Sequence, residues 1–470
     1  MRISAYRHRP AALVLCAGLL FSAAGAAAPA PGETFTMPEA AQPLSMQQAI
    51  DDALATNVQT LLADARRAEA SGNRAEARSA FLPHLSGEVS QSRRQTNLAA
   101  QGLDFGSAFA NLPAGTAPAF PSVITYNSFD ARARLRQSLF DYSAWQQYQS
   151  AKIGERVADD QLAVAREQVA AQAALDYVSA LAARESVAAS QADLDLSATL
   201  AKLATDQEHV GIATGVDVTR AQTRQARARA RLAQAETDQT RADIRLARTV
   251  GLPLDAPITL EDRLDYRPVA VGDTATDVAR AMADRPEVQL ASRQISQREK
   301  QLAAARGARL PTLSATADYG DSGNTYHENN EGTYAVGAQL QVPIFDGGAT
   351  HARISSAASR LDQQRIQYRD TRDQVEQDVR LARRTLTTLA EQVNAAQSAL
   401  TLANRELSLS RDRFANGISN NVEVIDAQAS LADARNTRVA ALADYTRARI
   451  NLAAALGRAQ QFRIDEPVTP

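Results

Sequence analysis

Apolar and polar side chains alternate along four short stretches of this chain. In one of them, Phe129, Ala131, Ala133 and Leu135 alternate with Asp130 and three arginines. A period of two with one apolar face is the pattern of a β-strand whose two faces meet different environments. The sequence therefore predicts strands at 83–94, 125–139, 310–321 and 333–345.

Two much longer stretches have a helical pattern and contain no proline, at 142–208 and 350–414. At 1.5 Å per residue, a helix over either stretch is about 100 Å long. Asp141 and Asp346 precede them at positions typical of helix N-caps. Shorter helices are predicted before each strand pair, at about 45–80 and 274–308, and after each long helix, at 216–250 and 422–456.

The two return helices carry apolar residues at the 3-4 spacing of a coiled coil, which predicts that they pack laterally against other helices. The long helices exceed the diameter of about 60 Å that a compact globule of this chain length would have, so they must project. The seam residues are Ala228, Leu232, Ala235, Ala242 and Leu246 in the first helix, and Leu431, Ala434, Ala441, Tyr445, Ala448, Leu452 and Ala455 in the second.

The same order of elements occurs twice along the chain. Phe140 returns as Phe345, 205 residues later, and Gly251 returns as Gly457, 206 residues later. Upstream of the strands the offset is 228, because the first copy has a longer Gly/Pro/Ala-rich loop. Such a repeat predicts two interlocked halves of one domain. The predicted parts are an N-terminal segment at 27–44, repeat 1 at 45–251, a linker at 252–273, repeat 2 at 274–457 and a C-terminal tail at 458–470.

The N-terminus has the pattern of a secretory signal peptide at 1–26. Three arginines precede an apolar run at 11–21, and Ala24-Gly25-Ala26 is a candidate cleavage site. Cys16, the single cysteine, lies in the run behind Leu15, whereas an acylation site requires a small residue there. The mature chain is therefore expected to contain no cysteine and no disulfide.

Composition argues against several classes of function. The formal net charge is −2, so no basic excess points to nucleic acid. The histidines are dispersed without metal-ligand spacing, and no phosphate loop, nucleophile elbow or zinc-protease motif occurs. We therefore expect no catalytic residue, no metal site, no cofactor and no enzymatic activity.

The strands admit two interpretations: a soluble sheet with one wet face, or part of a membrane barrel with its apolar face toward lipid. The export signal favours the membrane, and the Ala- and Arg-rich helices offer no apolar layer to cover a sheet. Four strands cannot close a barrel, since the smallest single-chain barrels have about eight. Several chains must therefore share one barrel. The aromatic residues Phe140, Tyr142, Trp145 and Phe345 lie just past the strands, where an aromatic girdle would be.

Two motifs carry a resemblance to a known family. The stretch Val342-Pro343-Ile344-Phe345-Asp346-Gly347-Gly348, and Asn416-Gly417-Ile418 followed by Val422-Glu423-Val424-Ile425-Asp426-Ala427, resemble the strand-to-helix junction and the helix tip of the TolC family of outer-membrane channel proteins. The resemblance implies an α+β membrane protein of Gram-negative bacteria. In this fold a trimeric 12-stranded outer-membrane β-barrel is continued by a long periplasmic α-helical barrel.

The resemblance also implies a function and partners. The chain would be the passive exit duct of a tripartite efflux or type I secretion system, in contact with outer-membrane lipid. Its partners would be two further copies, a periplasmic adaptor (membrane fusion) protein and an inner-membrane transporter of RND, ABC or MFS type. The alternative is that the chain is itself a periplasmic coiled-coil adaptor, which the duplicated strand pairs disfavour.

The helix tips hold the candidate site residues. By resemblance, Glu423 and Asp426 ring the pore entrance, and Asp217 occupies the place of Glu423 in the first copy. In the competing interpretation, these acids only stabilise the N-terminal ends of their helices by interaction with the helix dipole, by about 0.3–1 kcal/mol each. The candidate adaptor contacts are Gly211, Ile212, Gly417 and Ile418, whose alternative role is turn formation. The same resemblance implies a tyrosine and an arginine that hold the tips closed, at the positions where this chain has Phe414 and Ser419.

Overall fold

A computed structural model describes residues 43–102, 121–211, 213–269, 272–416, 418 and 421–466. The predicted signal peptide at 1–26 with Cys16, the segment 27–42, and Ile212, Gly417 and Ser419 lie outside the described residues.

Helices make up most of the described chain. They are α1 Met46–Thr56, α2 Val58–Ser79, α3 Tyr142–His209, α4 Gly215–Val250, α5 Thr274–Asp284, α6 Pro286–Gly307, α7 Ala349–Ala415 and α8 Asn421–Ala455. The strands are β1 Pro43–Leu44, β2 His84–Asn97, β3 Val123–Phe140, β4 Thr259–Leu260, β5 Thr312–Gly323 and β6 Glu331–Gln341. None of the described helices is long and apolar enough to cross a lipid bilayer.

Each predicted opening helix is two helices in the structure, so the prediction of continuous helices at 45–80 and 274–308 was wrong. Asn57 separates α1 from α2 with an extended backbone (φ −66°, ψ 133°), and its side chain accepts a hydrogen bond from the Gln59 amide. Arg285 is also extended (φ −66°, ψ 125°), because the proline that follows disfavours the helical conformation of the residue before it. Pro286 then starts α6, where its missing N–H is not needed.

The core lies where the middle of each long helix packs against the opening and return helices. Tyr177, Leu246, Val379 and Ile450 are fully buried there, and alanines between them allow close helix approach. All seven seam residues predicted on α8 are buried, as are three of the five predicted on α4. The short strands β1 and β4 pair in parallel beside this core.

Both repeats anchor their first helix in the same way. The Tyr177 hydroxyl on α3 donates to the Leu44 carbonyl at 2.9 Å, two residues before α1 begins. The Arg383 guanidinium on α7 donates to the Gly272 carbonyl, two residues before α5 begins. These positions are related by the repeat offsets of 206 and 228 residues. The duplication thus preserves the position of this anchor while the anchoring side chain differs.

The ends of two predicted elements needed correction. Asp141 is the N-cap of α3 and accepts from the Ala144 amide at 2.9 Å, but Gly348, not Asp346, takes the N-cap position of α7. Asp346 still accepts from the Thr350 amide at 2.7 Å. Strand β6 ends at Gln341, not at 345, because Pro343 has no N–H to give to a strand ladder.

The four long strands form an antiparallel sheet in the order β2-β3-β5-β6. The pair β3-β5 joins repeat 1 to repeat 2. Register places the apolar residues of all four strands on one face, so that Leu85, Leu135, Ala317 and Val336 lie in one row. The other face is polar and charged. In the described chain, β2 and β6 each have a partner on one side only, so both edges of the sheet are open.

Candidate functional site at the helix tips

The first tip connects α3 to α4. Gly211 has φ +81°, a left-handed conformation that favours glycine, which supports the turn role considered for it. Thr214 caps α4 and forms a capping box with Asp217. The Thr214 amide and hydroxyl donate to the Asp217 carboxylate at 3.0 and 2.6 Å.

Hydrogen bonds from Thr214 lower the pKa of Asp217. A lowered pKa means that the ionised cap stabilises the folded tip fully above the ordinary carboxyl pKa, and that this contribution is lost as pH falls through the lowered value, below about pH 4. Asp217 is therefore an ionised helix cap at neutral pH, whatever further role it has at a pore entrance.

The second tip connects α7 to α8. Glu423 is the third residue of α8, as Asp217 is of α4. Arg413 in the last turn of α7 lies 3.4 Å from the Glu423 carboxylate, so an ion pair closes the hairpin across the turn. Ile418 is exposed, and its amide donates to the Arg413 carbonyl at 2.9 Å.

Asp426 differs from the other two acids. It lies one helical turn after Glu423, on the same side of α8, and is exposed. Its carboxylate makes no hydrogen bond or ion pair with the described residues. Of the three predicted entrance carboxylates, it is the one most available to ions.

The two hairpins of the chain meet through an apolar seam near the tips, where α3 packs against α7 and α8. Its members are Leu200, Ala403, Leu407, Val424, Ala427, Leu431 and Ala434, with Leu196, Leu400 and Phe414 packed against them. Phe414 therefore contributes apolar packing to this seam.

One hydrogen bond crosses this seam. The Gln428 side-chain amide donates to the Ser197 hydroxyl at 2.7 Å, and both residues are only 1% exposed. Gln428 occupies a seam position, four residues after Val424 and three before Leu431. A buried polar residue in an apolar seam can specify register between helices. This pair was not predicted from the sequence, although a glutamine at a 3-4 position was a visible signal.

An ion pair with a buried carboxylate lies beside this hydrogen bond. Asp193 on α3 pairs with Arg231 on α4 and lies 3.6 Å from Arg224, also on α4. Burial lowers the pKa of Arg224. These contacts tie α3 to α4 about four turns above the tip and were not predicted from the sequence.

We expect Gln428→Ala to lower the free energy of unfolding by about 1–3 kcal/mol, because the buried hydrogen bond between the two helices is lost and the Ser197 hydroxyl keeps only its bond to the Asp193 carbonyl of its own helix. Thermal unfolding followed by circular dichroism in detergent measures the effect. Ser398→Ala is the control, since its hydroxyl bonds only to its own helix on an exposed face. The double variant Ser197→Ala/Gln428→Leu should be closer to wild type than Gln428→Ala; equal losses would refute a specific pair.

The four aromatic residues predicted for a girdle lie at the junction of sheet and helices. Phe140 ends β3, Tyr142 begins α3, and Phe345 is 88% exposed after β6. Trp145 is half exposed and packs on Phe81 at a ring distance of 6.0 Å, so it also holds the turn after α2 against α3.

A second aromatic group lies at the opposite end of the apolar face. Tyr319 and Tyr334 are direct partners across β5 and β6 and are 68% and 78% exposed. Tyr326 in the following loop packs on Phe129 at 5.8 Å. These residues were not predicted to form an aromatic group, although tyrosines at apolar-face positions of a strand were the available signal.

No group of three or more His, Cys, Asp or Glu side chains within the described residues has the arrangement of a metal site. The tip residues are acids, arginines and apolar side chains held by caps and seams. This arrangement can attract or repel ions and contact another protein.

Comparison with known proteins finds relatives that match most of the chain. The profile of the family described as "Outer membrane efflux protein" matches residues 49–252 and 278–458. The alkaline protease secretion protein AprF of Pseudomonas aeruginosa is 26% identical over 328 residues, 68% of this chain and 68% of that protein. The outer membrane protein TolC of Escherichia coli is 23% identical over 351 residues, 71% of this chain and 70% of that protein. The CmeC outer membrane channel of Campylobacter jejuni shares the fold, with a TM-score of 0.74, 18% identity, and coverage of 90% of this chain and 87% of the channel.

Proposed function

The chain belongs to the outer membrane efflux protein family, and we propose that three copies of it form the outer-membrane exit duct of a tripartite efflux or type I secretion system. The duct conducts passively what an inner-membrane transporter of RND, ABC or MFS type delivers through a periplasmic adaptor. The family is not enzymatic, and its place is the outer membrane of Gram-negative bacteria.

One observation carries this proposal: a sheet with an exposed apolar face and two open edges continues into helices about 100 Å long. Open edges in lipid cost several kcal/mol for each unpaired backbone group. Joining β2 of one copy to β6 of the next removes the edges, and three copies supply twelve strands. The long helices then continue the wall of the barrel into the periplasm.

The periplasmic adaptor considered from the sequence is the weaker alternative. An adaptor needs one coiled-coil hairpin, whereas this chain has two, at α3-α4 and α7-α8, and a strand pair precedes each of them. An apolar sheet face of four strands also has no use in a soluble adaptor.

The function is tested by purification and by conductance. The detergent-extracted protein is expected to have the mass of three chains and to form ion-conducting channels in a planar lipid bilayer. A water-soluble single subunit without conductance would refute the proposal. Deletion of the gene, followed by drug and metal sensitivity assays and by analysis of secreted proteins, would identify the cargo.

We further propose that Glu423 and Asp426 form an acidic collar at the periplasmic entrance, supported by Asp217. Gly211, Ile212, Gly417 and Ile418 would receive the adaptor at the tips, and Phe140, Tyr142, Trp145 and Phe345 would lie at the membrane interface. Rings of carboxylates favour cations in a pore. Asp426 should contribute most, because Glu423 is paired with Arg413 and Asp217 is held in the capping box with Thr214.

Asp426→Asn is expected to reduce the preference of the channel for cations over anions several-fold, because the exposed carboxylate is removed from the entrance. The measurement is the reversal potential across a bilayer with a salt gradient. Asp217→Asn is the contrast: we expect less change in selectivity and more loss of tip stability. An unchanged reversal potential in Asp426→Asn and in Glu423→Gln would rule out the collar.

A further inference from the structure

The polar face of the sheet carries its charges in an ordered pattern. The strand register places the residues of this face in successive rows across β2, β3, β5 and β6. From the helix end outward, the rows are His84-Arg136-Thr316-Gly337, then Ser86-Arg134-Asp318-Ala335, then Glu88-Arg132-Gly320-Thr333, then Ser90-Asp130-Ser322-Glu331. The first row has one cation and no acid, the next two have one of each, and the fourth has two acids.

Ion pairs neutralise the middle of this face. Arg132 donates to Asp130 at 2.5 Å and to Asp318 at 2.9 Å, and so links β3 to β5. Arg134 donates to Glu88 at 2.5 Å, and so links β3 to β2. These ion pairs also show that the side chains of Arg132, Arg134 and their acidic partners lie on one face of the sheet, as the strand register requires.

Arg136 is outside this network. Its side chain is exposed and makes no hydrogen bond or ion pair with the described residues. Arg94 is likewise unpaired on this face but lies at the far, loop end of β2, beyond the acidic row. Arg136 instead lies four residues before the end of β3, where the sheet gives way to the helices.

We propose that Arg136, repeated around the assembled duct, forms a cationic belt inside the barrel at its helix end, which binds carboxylate, phosphate or other anionic groups of passing solutes. This rests on the proposed function, because only an assembled barrel turns the polar face into a lumen. Rings of one sign of charge set the selectivity of a pore, and low-dielectric walls focus their field. The belt opposes the acidic collar, so that the duct presents charges of opposite sign at two levels.

The test is the permeability ratio of K⁺ to Cl⁻ in a planar bilayer. Arg136→Gln is expected to raise this ratio at least twofold, and Glu88→Gln, which removes the partner of Arg134, is expected to lower it. Citrate, a tricarboxylate probe, should reduce the wild-type current and should block Arg136→Gln less strongly. Arg93→Gln is the matched control, because it removes the same charge from the opposite face of the sheet. Arg93 lies opposite Asn127 in the strand register, on the face that carries the apolar residues.

An Arg136→Gln channel with the ratio and citrate block of Arg93→Gln would overturn the belt while leaving the duct intact. If Arg136→Gln fails to assemble, the Glu88→Gln channel tests the proposal instead. An unchanged permeability ratio in Glu88→Gln would show that the charges of this face do not control the ion selectivity of the lumen. A wild-type protein that forms no channel at all would overturn both the belt and the proposed function.

Discussion

Replacing Gly320 by alanine is expected to abolish assembly in the outer membrane. Gly320 lies in β5 opposite Arg132 of β3. A Cβ atom there would lie 2.2 Å from the Ala131 carbonyl oxygen and 2.4 Å from the Arg132 Cα atom. Both contacts are with backbone, which cannot rotate away as a side-chain end can. The two strands would have to separate at the one pairing that joins the halves of the sheet.

The amount of trimer in the outer-membrane fraction measures this effect, and we expect less than about a tenth of the wild-type level. Gly337→Ala is the matched control, because it adds the same methyl group to the neighbouring strand on the same face. Its nearest atom would be the Thr316 hydroxyl oxygen at 3.9 Å, an ordinary contact. Wild-type amounts of Gly320→Ala trimer would show that β3 and β5 are not in the described register.

Arg383→Met should lower the free energy of unfolding by about 3–5 kcal/mol, because it leaves a buried carboxylate without its counter-ion. Arg383 is 8% exposed and its partner Asp277, in the first turn of α5, is 3% exposed. The guanidinium also satisfies the Gly272 carbonyl, so one substitution removes both anchors of α5. Urea unfolding followed by the helical circular dichroism signal gives the free energy.

Arg380→Met provides the comparison on the same helix. Arg380 pairs with Glu376 one turn away, and both side chains are largely exposed, so the expected loss is below about 1 kcal/mol. Adding Asp277→Leu to Arg383→Met should recover much of the lost stability, because no unpaired charge then remains. Equal losses for Arg380→Met and Arg383→Met would contradict a buried ion pair.

Local pattern was enough to predict the order of helices and strands, whereas the fold class came from the family resemblance, and the comparisons confirm it. Alternation defined the strands, and the absence of proline defined the two long helices. The breaks within the opening helices were missed for different reasons. Pro286 was visible and disfavours a helical residue before it, so the break at Arg285 was predictable. No proline marks the break at Asn57. The break depends on the asparagine side chain acting as a helix cap, and asparagine also occurs inside helices, so the residue alone does not predict a break.

The candidate site was only partly accessible to sequence reasoning. Position within a helix can be inferred from local signals, and Glu423 and Asp426 do lie in the first two turns of α8. Contacts between distant segments cannot be inferred in this way. Gln428 and Ser197 are 231 residues apart, and Arg132 and Asp318 are 186 apart. Whether such residues meet depends on how the two repeats pack and on strand register, neither of which appears in a local window.

The open edges of the sheet impose an order on biogenesis. Strand β6 alone has 11 residues, and each backbone group that enters lipid unpaired costs several kcal/mol. A lone polypeptide therefore cannot insert stably, and encounter between copies must precede or accompany insertion. When synthesis of the chain is reduced, the amount of assembled trimer should therefore fall more steeply than the rate of synthesis. At low copy number, chains that have not met other copies should remain in the periplasm, where proteases can degrade them.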